Sequence, residues 1–574
     1  MKTPYRVVVL PALALLGLSA CNSSDTTAAQ TTGTTYYVSA TADKGGDGSH
    51  AKPFDSLETV EKASLPGDTI VVLASPEKTP ALDGGISLQP GQRLLAEGND
   101  PATGMAARIT NTKLLRGGGD AVLVTSNAEV AGITIVDAYR SGIAGVDVRG
   151  VNIHDNDISG FNTSCSLGFT IPSDTLPTTI PRLVVPFPVP LPNGRAGIMM
   201  RPTYGSGSFT IRNNAVHDAR CGDGIDVVLS NAAQFHADII GNTVSNLQQG
   251  PITHLFLSVL AIGLQTRGDA QLDADINDNV EHDIGSLNFT PERADSEGLF
   301  FNPVDATTMT ARVNNNTFLH GIGGFSANGM EFVSMGKGAT ATVAISNSTF
   351  TDVPGDILEL LSLGSNATLK LTLDKVTATH STGGPLATLT GLVASANVGN
   401  CLAVANSDGG NALTLGINNS EFSDCFHDAL SITSNDLPNS DKVKLIDFEI
   451  SNSRFTTSQG SAFNLINLAP LAQLRGKVSN SVFSGNKDVN LTFENGNSMI
   501  DAISLDFGGG AEHSAGGNCI VDGGKGAAST QKLDVALQHN WWGQSSGPAA
   551  KDISATGGTL DTSAPLAAAP GICR

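Results

Sequence analysis

The chain is poor in charged residues, aromatic residues and long apolar runs. Only 15% of its 574 residues are charged and 5% are aromatic, and the formal net charge is -21. Because proteins that follow nucleic-acid phosphates need clustered positive charge, this balance argues against nucleic acid as a partner. Anionic polymers would have to meet local basic patches or bridging cations. Beyond residue 20 no segment reaches the roughly 20 apolar residues that span a bilayer.

The N-terminus reads as an export signal. Lys2 and Arg6 precede a mostly apolar run over 7–18, and Leu18-Ser19-Ala20-Cys21 follows. A signal peptide over 1–20 is therefore predicted. The tetrapeptide resembles the lipobox of bacterial lipoproteins, which implies a mature chain beginning at an acylated Cys21, a palmitate-type membrane anchor. The alternative, a short transmembrane anchor, is disfavoured because about twelve apolar residues cannot cross roughly 30 Å of hydrocarbon.

Asn22 follows the acylated cysteine, and the sorting rule known for enterobacterial lipoproteins then implies the outer membrane. The sequence does not distinguish between the periplasmic face and the cell-surface face of that membrane. Residues 21–35 are mostly Ser, Thr, Ala, Asp and Gln, a composition typical of a flexible tether.

Six further cysteines form an even set in an oxidising compartment, which predicts disulfides. They are Cys165, Cys221, Cys401, Cys425, Cys519 and Cys573. The sequence leaves several disulfide pairings possible. Pairing of neighbours in the sequence (165 with 221, 401 with 425, 519 with 573) would tie down one insertion, one widened repeat and the C-terminus. Metal binding is the weaker interpretation, because none of them forms a CxxC pair.

Two short elements recur along the chain. The first element begins with an aliphatic residue, which is followed by two variable residues and then by Asn or Ser. An apolar residue stands two positions after the Asn or Ser, as in Ile239-Ile-Gly-Asn242-Thr-Val244. The second is a small residue followed by aliphatic, variable and aliphatic positions, as in Gly224-Ile-Asp-Val227. The second element precedes the first by 14 or 15 residues, whereas the spacing between successive copies varies. Fixed strand offsets with variable loops predict a β-solenoid whose coils bury their apolar faces by stacking.

The predicted fold is all-β, a single parallel β-helix over 36–550 with about eleven to thirteen coils, on the order of 55 Å long. It has an insertion at 165–195 and a C-terminal tail over 551–574. Stacked Asn side chains should form amide ladders between coils. A Phe column should stack inside, at Phe318, Phe350, Phe422, Phe455 and Phe483.

Both ends resemble known β-helix proteins. Tyr36-Tyr-Val-Ser39 with Pro66-Gly-Asp-Thr-Ile-Val71 is similar to the entry segment of right-handed β-helix proteins, which include polysaccharide lyases and bacterial surface proteins. Asn540-Trp-Trp-Gly543 followed by Gly547-Pro548 resembles a terminal motif of bacterial β-helix repeat proteins. The resemblance implies the right-handed fold and leaves function open, since this fold carries lyases, hydrolases, epimerases, adhesins and spacers.

Signatures of the well-known enzymes of this fold are mostly missing. Gly222-Asp-Gly-Ile-Asp226 is reminiscent of one of the four polygalacturonase motifs, and Arg201-Pro202 is a thin match to the basic site of pectate lyases. The sequence alone therefore does not establish an enzyme.

In the second element the middle residue should point outward, because its flanking aliphatic residues point inward. This rule gives one outward column: Asp226, Gly263, Phe300, Glu331, Glu359, Ala387, Ser431 and Asn464. Glu331 and Glu359 would then lie on adjacent coils about 5 Å apart. Three interpretations stay open: a retaining glycosidase pair, a Ca²⁺ site, or two solvated glutamates. Calcium is the one cofactor that this pair suggests, and the sequence does not identify individual metal ligands.

A dense polar stretch is the other candidate site, because groups for proton transfer and for sugar-acid binding coincide there. An ordinary solvated turn row is the alternative. Its members are Arg195, Arg201, Arg212, His217, Asp218, Arg220, Asp223, Asp226, His236 and Asp238. Following coils extend it with His254, Arg267, Asp269, His282, Asp283, Asp295 and Glu297. The catalytic candidates are Arg201, His217, Arg220, Asp223, Asp226, Glu331 and Glu359.

Three functions remain. The first is a non-catalytic, outer-membrane-anchored surface protein that binds polysaccharide along its rod. The second is a polysaccharide lyase or glycoside hydrolase acting on envelope or extracellular glycans. The third is an assembly partner that uses the Pro-rich insertion at 176–192.

Overall fold

Three long parallel sheets wind around one axis. The computed structural model describes residues 33–114, 117–170, 192–248, 258–285, 295–323, 326–383, 399–407, 409–434, 443–469, 471–496, 503–530 and 533–574. The first and third sheets have 17 strands each and the second has 14. The chain visits the sheets in the order first, second, third, and parallel strands joined in this way form a right-handed parallel β-helix.

The first sheet consists of Thr35–Val38, Thr69–Leu73, Arg93–Glu97, Glu129–Ala131, Val151–His154, Ser206–Arg212, Gln234–Ile240, Gln271–Asn277, Thr308–Asn314, Thr340–Ser346, Thr368–Asp374, Ala412–Asn418, Lys444–Ser451, Ala472–Ser479, Ile503–Asp506, Val535–Ala536 and Leu560–Asp561. The second sheet consists of Leu82–Asp83, Arg108–Asn111, Thr134–Ala138, Asp157–Ser159, Ala215–Ala219, Thr243–Leu247, Val280–Gly285, Thr317–Ile322, Thr349–Val353, Thr377–Ser381, Glu421–Ser423, Arg454–Thr456, Val482–Ser484 and Cys519–Val521.

The third sheet consists of Ile86–Ser87, Val122–Val124, Ile143–Val146, Leu167–Thr170, Pro192–Gly194, Ile198–Arg201, Ile225–Leu229, Ser258–Thr266, Asp295–Pro303, Ser326–Ser334, Leu358–Ser362, Leu402–Asn406, Leu430–Ser434, Phe463–Asn467, Val489–Asn495, Lys525–Thr530 and Ile553–Ala555. Two further strands, Ser75–Pro76 and Met105–Ala106, pair antiparallel. The helical segments are the α-helix Leu57–Ala63 and the 3₁₀ turns Gly117–Gly119, Ala550–Asp552 and Gly571–Cys573.

A complete coil places one strand in each sheet. The 14-stranded second sheet therefore sets the number of complete coils in the described chain at 14, just above the predicted range. The additional coils lie towards the N-terminus, where strands such as Leu82–Asp83 and Ile86–Ser87 have two residues and lack the repeated Asn motif. Short strands carry too little of the period-2 pattern to be found from sequence.

Alternating apolar residues explain why these segments are strands. In Thr308–Asn314 the side chains of Met309, Ala311 and Val313 are buried, while the residues between them are more exposed. Strands before and after repeat this pattern in register, with Ile276 beside Val313 and Val313 beside Ile345. Each coil thus buries its apolar side only against its neighbours, as expected of a solenoid.

The corner between the first and second sheets carries the predicted amide ladder. The Nδ2 group of Asn214 donates to Oδ1 of Asn242 at 3.0 Å, and Asn242 donates to Asn279 at 3.0 Å. The full row, called the amide corner, is Asn156, Asn214, Asn242, Asn279 and Asn316, continued by Ser348, Ser420, Ser453, Ser481, Asn518 and Asn540. The residue before each ladder position has positive φ in most coils, for example Asn213 at 53° and Asp278 at 58°. Asn and Asp tolerate that conformation better than other non-glycine residues, which explains their frequency here.

The Phe column is confirmed for its C-terminal members. The rings of Phe422 and Phe455 stack at 5.1 Å, and those of Phe455 and Phe483 at 5.3 Å. Phe318 and Phe350 are also buried. At the N-terminal end of the rod, the helix Leu57–Ala63 buries Leu57 and Val60, and the Ser56 side chain accepts a hydrogen bond from the Thr59 backbone as its N-cap.

Three disulfides join sequence neighbours: Cys165–Cys221, Cys401–Cys425 and Cys519–Cys573. Part of the insertion at 165–195 forms an antiparallel pair, Leu167–Thr170 with Pro192–Gly194, at the edge of the third sheet. Beyond residue 550, Ile553–Ala555 and Leu560–Asp561 continue the third and first sheets. Trp542 is buried near this end of the rod. Within the described ranges no helix is long and apolar enough to span a membrane.

One predicted register partner is wrong. The outward column was expected to continue from Glu359 to Ala387, which lies outside the described residues. The register instead pairs Glu359 with Ala403, in the strand Leu402–Asn406. A long connection separates the strands Thr377–Ser381 and Leu402–Asn406. The segment around Leu386 imitates the repeat by its apolar spacing, and sequence alone cannot tell an imitation from the strand that pairs.

Candidate binding cleft on the third sheet

The dense polar stretch does not form one site. One coil presents successive strands to three faces of the rod, so residues close in sequence separate in space. Arg212, His236 and Asp238 lie on the first sheet, His217 and Asp218 on the second, and Arg201 and Asp226 on the third. Arg220 is exposed in the turn that follows the second-sheet strand Ala215–Ala219. His254 lies outside the described residues.

A cleft of about 270 Å³ opens on the outer face of the third sheet. Its floor is built by the strands Ile143–Val146 and Ile198–Arg201, which pair in parallel register. The small side chain of Ala144 leaves the space open at the outward floor position. Gly145 faces the core instead, where an added Cβ would meet the methyl group of Met200 at 2.8 Å. The lining is Asp120, Ala144, Gly145, Val146, Arg195, Met199, Arg201 and Thr203.

Arg195 and Asp120 face each other inside this cleft. Arg195 Nη1 lies 3.7 Å from Asp120 Oδ1, and only 14% of the arginine side chain is exposed. Arg195 Nε is buried and has no hydrogen-bond partner among the described residues. Burial raises the pKa of the Asp120 carboxyl, while the Ser141 backbone N–H and the charge of Arg140 oppose that shift. A buried donor of this kind next to a carboxyl with a raised pKa is a feature of sites that bind polar ligands.

Arg201 and Arg267 add positive charge to the same face. Arg201 Nη1 donates a 2.7 Å hydrogen bond to the backbone carbonyl of Gly168, which fixes the guanidinium beside the floor. Burial lowers the pKa of Arg267 to about 10; Asp305 opposes that shift and the charge of Arg201 adds to it. Two guanidinium groups close enough to repel each other favour a carboxylate ligand, which arginine binds through paired hydrogen bonds.

Asp226 borders the cleft. It is fully buried on the outer face, one coil beyond Met199, with which it shares its register position. Gln265 Nε2 lies 3.4 Å from its Oδ1 atom. An outer apolar cluster, separate from the core, continues the same face: Val228, Leu260, Phe300, Val304, Val333 and Met335.

Asp223 belongs to the corner that opens the third-sheet strands. Its Oδ1 atom accepts the backbone N–H of Leu260 in the next coil at 2.9 Å, so its geometry is that of a structural corner residue. The equivalent residues are called the acidic corner: Asp120, Asp223, Glu297, Asn328, Asp356, Asn400 and Asp428. The catalytic role of Asp223 stays a prediction.

Glu331 and Glu359 are register partners on adjacent coils, as the outward column predicts. Asn328 Nδ2 donates to Glu359 Oε2 at 3.0 Å. Both side chains are half-buried. They lie several coils from the cleft, so the two candidate sites are separate. A glycosidase pair or a Ca²⁺ site at these glutamates stays a prediction.

His217 lies on the second sheet between two carboxylates. Its Nε2 is 2.7 Å from Asp157 Oδ1 and its Nδ1 is 2.7 Å from Asp218 Oδ2. The hydrogen bond to Asp157 is the main cause that raises the pKa of His217 to about 9, with burial opposing and Asp218 adding. Both ring nitrogens are thereby occupied, which disfavours the predicted proton-transfer role.

Sequence reasoning missed two groups. Asp120 lies far along the chain from Arg195, and only the coil register brings them together. The second group is His427, whose Nδ1 lies 3.0 Å from the buried Asp428 Oδ2, near Asp356. Burial raises the pKa of Asp356 to about 7, against hydrogen bonds from Asn400 and Gly399. A signal was available, since an acidic or amide residue recurs two positions before the first inward residue of the third-sheet strands.

No protein-family model and no curated protein matches the chain. Among solved structures it is similar to a GH136 lacto-N-biosidase from Eubacterium ramulus, with 13% identity and a TM-score of 0.32 over 75% of this chain and 68% of that one. It is also similar to the pectate lyase Pel9A, with 11% identity and a TM-score of 0.29 over 83% and 80%. A mannuronic acid specific polysaccharide family 6 lyase from human gut microbiota is similar as well, with 10% identity and a TM-score of 0.29 over 79% of this chain and 86% of that one. These similarities concern the fold alone.

Proposed function

We propose that the chain is a surface protein, lipid-anchored in the outer membrane, that binds an acidic polysaccharide in the cleft on the third sheet. The ligand class is a polymer with carboxylate-bearing sugars, such as uronates. The observation that carries the proposal is the placement of Arg195 and Arg201 in one cleft of a chain whose formal charge is -21. Two arginines withdrawn from solvent into one cleft do not add to the solubility of an acidic protein. A carboxylate ligand would supply both guanidinium groups with hydrogen-bond acceptors and with a negative charge.

The floor of the cleft supports a sugar ring. Met199, Ala144 and Val146 supply apolar surface, while the two guanidinium groups and Thr203 supply donors around it. Ligand sites in proteins commonly combine an apolar lining with a few well-placed polar groups. A volume of about 270 Å³ suits one or two sugar residues of a longer polymer.

The binding experiment compares uronate oligosaccharides with neutral oligosaccharides of equal length by calorimetry. We expect binding of the acidic series, weakened by salt, and roughly tenfold to hundredfold weaker binding in Arg201→Gln, because a charge-assisted hydrogen bond contributes about 1.5–3 kcal/mol. Arg475→Gln is the matched control, since Arg475 is an exposed arginine on the first sheet, on another face of the rod. Equal affinity for neutral sugars, or equal loss in both variants, would contradict the proposal.

The anchor has its own test. The proposal rests on Leu18-Ser-Ala-Cys21 and on Asn22 after it. Cys21→Ser should abolish incorporation of a labelled fatty acid and release the protein from the outer-membrane fraction, while leaving oligosaccharide affinity unchanged. Retention of label or of membrane association in this variant would rule the anchor out.

A second candidate function is a polysaccharide lyase or glycoside hydrolase at the same cleft. The specific observation is Asp120, a buried carboxyl whose pKa is raised and whose Oδ1 lies 3.7 Å from Arg195 Nη1, because a carboxyl beside a carboxylate-binding arginine suits acid–base chemistry on a uronate. Release of unsaturated or reducing sugar from the bound polymer, lost in Asp120→Asn, would establish catalysis. Binding without any product from an acidic polymer panel would leave the non-catalytic proposal.

A further inference from the structure

The outer face of the first sheet carries a second polar group, away from the cleft. His236 and Asp238 lie on the strand Gln234–Ile240, and Asp273 and Asp275 lie at the paired positions of the next coil. Arg312 is paired with Asp275 in the coil after that. All five side chains are about one-third to one-half exposed.

Three ligand atoms of this group converge. His236 Nε2 lies 3.1 Å from Asp238 Oδ1 and 3.7 Å from Asp275 Oδ2. Among the described residues, this is the one group of His, Cys, Asp and Glu side chains whose ligand atoms all lie within 4.8 Å of one another. Ligands about 2.1 Å from a tetrahedral Zn²⁺ ion lie about 3.4 Å apart, so the two distances bracket the spacing that the ion needs.

The remaining polar atoms hold these ligands in place. Asp273 Oδ2 lies 3.0 Å from His236 Nδ1, and its Oδ1 lies 2.7 Å from Arg312 Nη1. Arg312 binds both oxygens of Asp275, with Nε 2.6 Å from Oδ1 and Nη2 3.2 Å from Oδ2, and Oδ2 also faces the histidine at 3.7 Å. A carboxylate that accepts the Nδ1–H of a histidine, so that Nε2 is free to bind a metal, is the usual outer-shell arrangement of histidine–metal sites.

We infer that His236, Asp238 and Asp275 form a binding site for a divalent transition-metal ion of the zinc type. One nitrogen and two carboxylate oxygens suit Zn²⁺ better than Ca²⁺, which takes six to eight oxygen ligands. The fourth position is open to water. Binding releases the proton from Nε2 of His236, which leaves a neutral imidazole as the ligand.

Charge supports the same site. Three aspartates surround one arginine and one histidine in this group, so the acidic side chains outnumber the arginine. A divalent cation would add positive charge where the carboxylates meet. The ion would join two adjacent coils, because His236 and Asp238 belong to one and Asp275 to the next.

His217 provides the internal contrast. It too lies between two aspartates, yet each of its ring nitrogens faces one carboxylate, Asp157 or Asp218, on opposite sides of the ring. Its ligand atoms therefore do not surround a common point. If pairing with aspartate were sufficient to bind the ion, substitution of either histidine would weaken Zn²⁺ binding. A metal site at His236 predicts that only substitution of His236 does so.

The test uses the full chain, purified in detergent and stripped of metal with a chelator. Titration with Zn²⁺ alone in a calorimeter should give one ion per chain, and Co²⁺ should give a visible absorption band typical of nitrogen and oxygen ligands. We expect His236→Gln and Asp238→Asn to weaken Zn²⁺ binding roughly hundredfold and to abolish the band. His217→Gln should retain both.

Thermal melts keep the result interpretable if a variant is less stable. Zn²⁺ should raise the Tm of the parent chain and of His217→Gln but not that of Asp238→Asn, because a ligand stabilises only the state that binds it. Absence of saturable binding, binding unchanged in His236→Gln, or equal loss in His217→Gln would overturn the site and leave an ion-pair network only.

Discussion

Two corners of the coil carry buried polar side chains along most of the rod, and they differ in kind. The amide corner, between the first and second sheets, is a row of neutral Asn and Ser side chains whose hydrogen bonds run from coil to coil. The acidic corner, between the second and third sheets, mixes Asp, Glu and Asn. The amide corner uses its hydrogen-bonding groups within the fold, whereas the acidic corner adjoins the cleft at Asp120.

Connection length separates the corners as well. The amide corner spans from Ile240 to Thr243 and from Ser346 to Thr349, a nearly constant turn. The acidic corner spans from Ser423 to Leu430 in one coil and from Ser381 to Leu402 in the preceding one. A uniform neutral turn stabilises the stack, and the variable charged turn is where this solenoid can acquire a ligand site without losing register.

The largest effect is expected at the amide corner. Asn242→Ala removes hydrogen bonds to Asn214, Asn279 and the Ile211 carbonyl, and it leaves buried partners unsatisfied. We expect a loss of about 4 kcal/mol in the free energy of unfolding, measured by urea titration. Asn242→Ser is the matched control, because Ser348 accepts the backbone N–H of Asn316 at the same corner in a later coil. The serine variant should lose less, because its hydroxyl still offers an acceptor to the Asn214 backbone N–H. A loss below about 1 kcal/mol in Asn242→Ala would refute a ladder that stabilises the stack.

The next largest effect is a gain in stability, and it is expected at Glu281 on the second sheet, between the two corners. Glu281 points into the core of the second sheet, and its carboxyl oxygens have no hydrogen-bond partner among the described residues. Burial raises its pKa to about 8 from 4.5. The folded state therefore stays protonated while the unfolded state ionises, so stability falls as the pH rises from about 4.5 to about 8.

Glu281→Gln should remove this slope and stabilise the protein by about 3 kcal/mol at pH 7, with little change near pH 4.5. Urea midpoints at the two pH values measure it. Glu449→Gln, on an exposed side chain of the first sheet, is the control and should leave the slope intact. A parent chain without loss of stability between these pH values would show that Glu281 does not remain buried and neutral.

The sequence predicts the amide corner well and the acidic corner poorly. Asn242 and its equivalents follow a fixed aliphatic position, so both the ladder and the outward position of Asp226, Glu331 and Glu359 could be derived from spacing. The repeat also predicts the solenoid itself, because a period-2 apolar pattern at constant offset has few other solutions.

The cleft could not be derived in this way. Arg195 and Asp120 come from different coils, and their contact depends on how many coils and insertions separate them. Residues 212–238, which look like one cluster in sequence, lie on all three faces because the chain turns three corners within that stretch and returns to the first sheet. The coil with the long connection from Ser381 to Leu402 was also the one in which Ala387 was mistaken for the residue that pairs with Glu359.

A smaller effect is expected at Asp356 on the acidic corner. Burial raises its pKa to about 7 from 3.8, although its Oδ1 accepts the backbone N–H groups of Gly399 and Asn400. The raised pKa of a carboxyl means that this residue costs stability as the pH rises from about 4 towards 7. Asp356→Asn keeps an oxygen acceptor and should gain about 2 kcal/mol at pH 8 relative to pH 4. Differential scanning calorimetry at both pH values measures the gain, and Asp447→Asn on the first sheet serves as the control. A loss of stability at pH 8 would mean that the hydrogen bonds to the ionised Asp356 outweigh its burial, so that its pKa is not raised.

The smallest effect is expected at His217, on the second sheet away from both corners. Because its pKa is raised to about 9 from 6.5, protonated His217 stabilises the fold fully below about pH 6.5, and this contribution disappears as the pH rises through 9. About one-third of the side chain is exposed, so solvent screening reduces the expected contribution to about 1 kcal/mol. His217→Gln should therefore cost about 1 kcal/mol at pH 6 and close to nothing at pH 10, as read from urea midpoints. His50→Gln, at a side chain that is 61% exposed, is the control. A cost that is the same at both pH values would mean that His217 acts through packing and not through its charge.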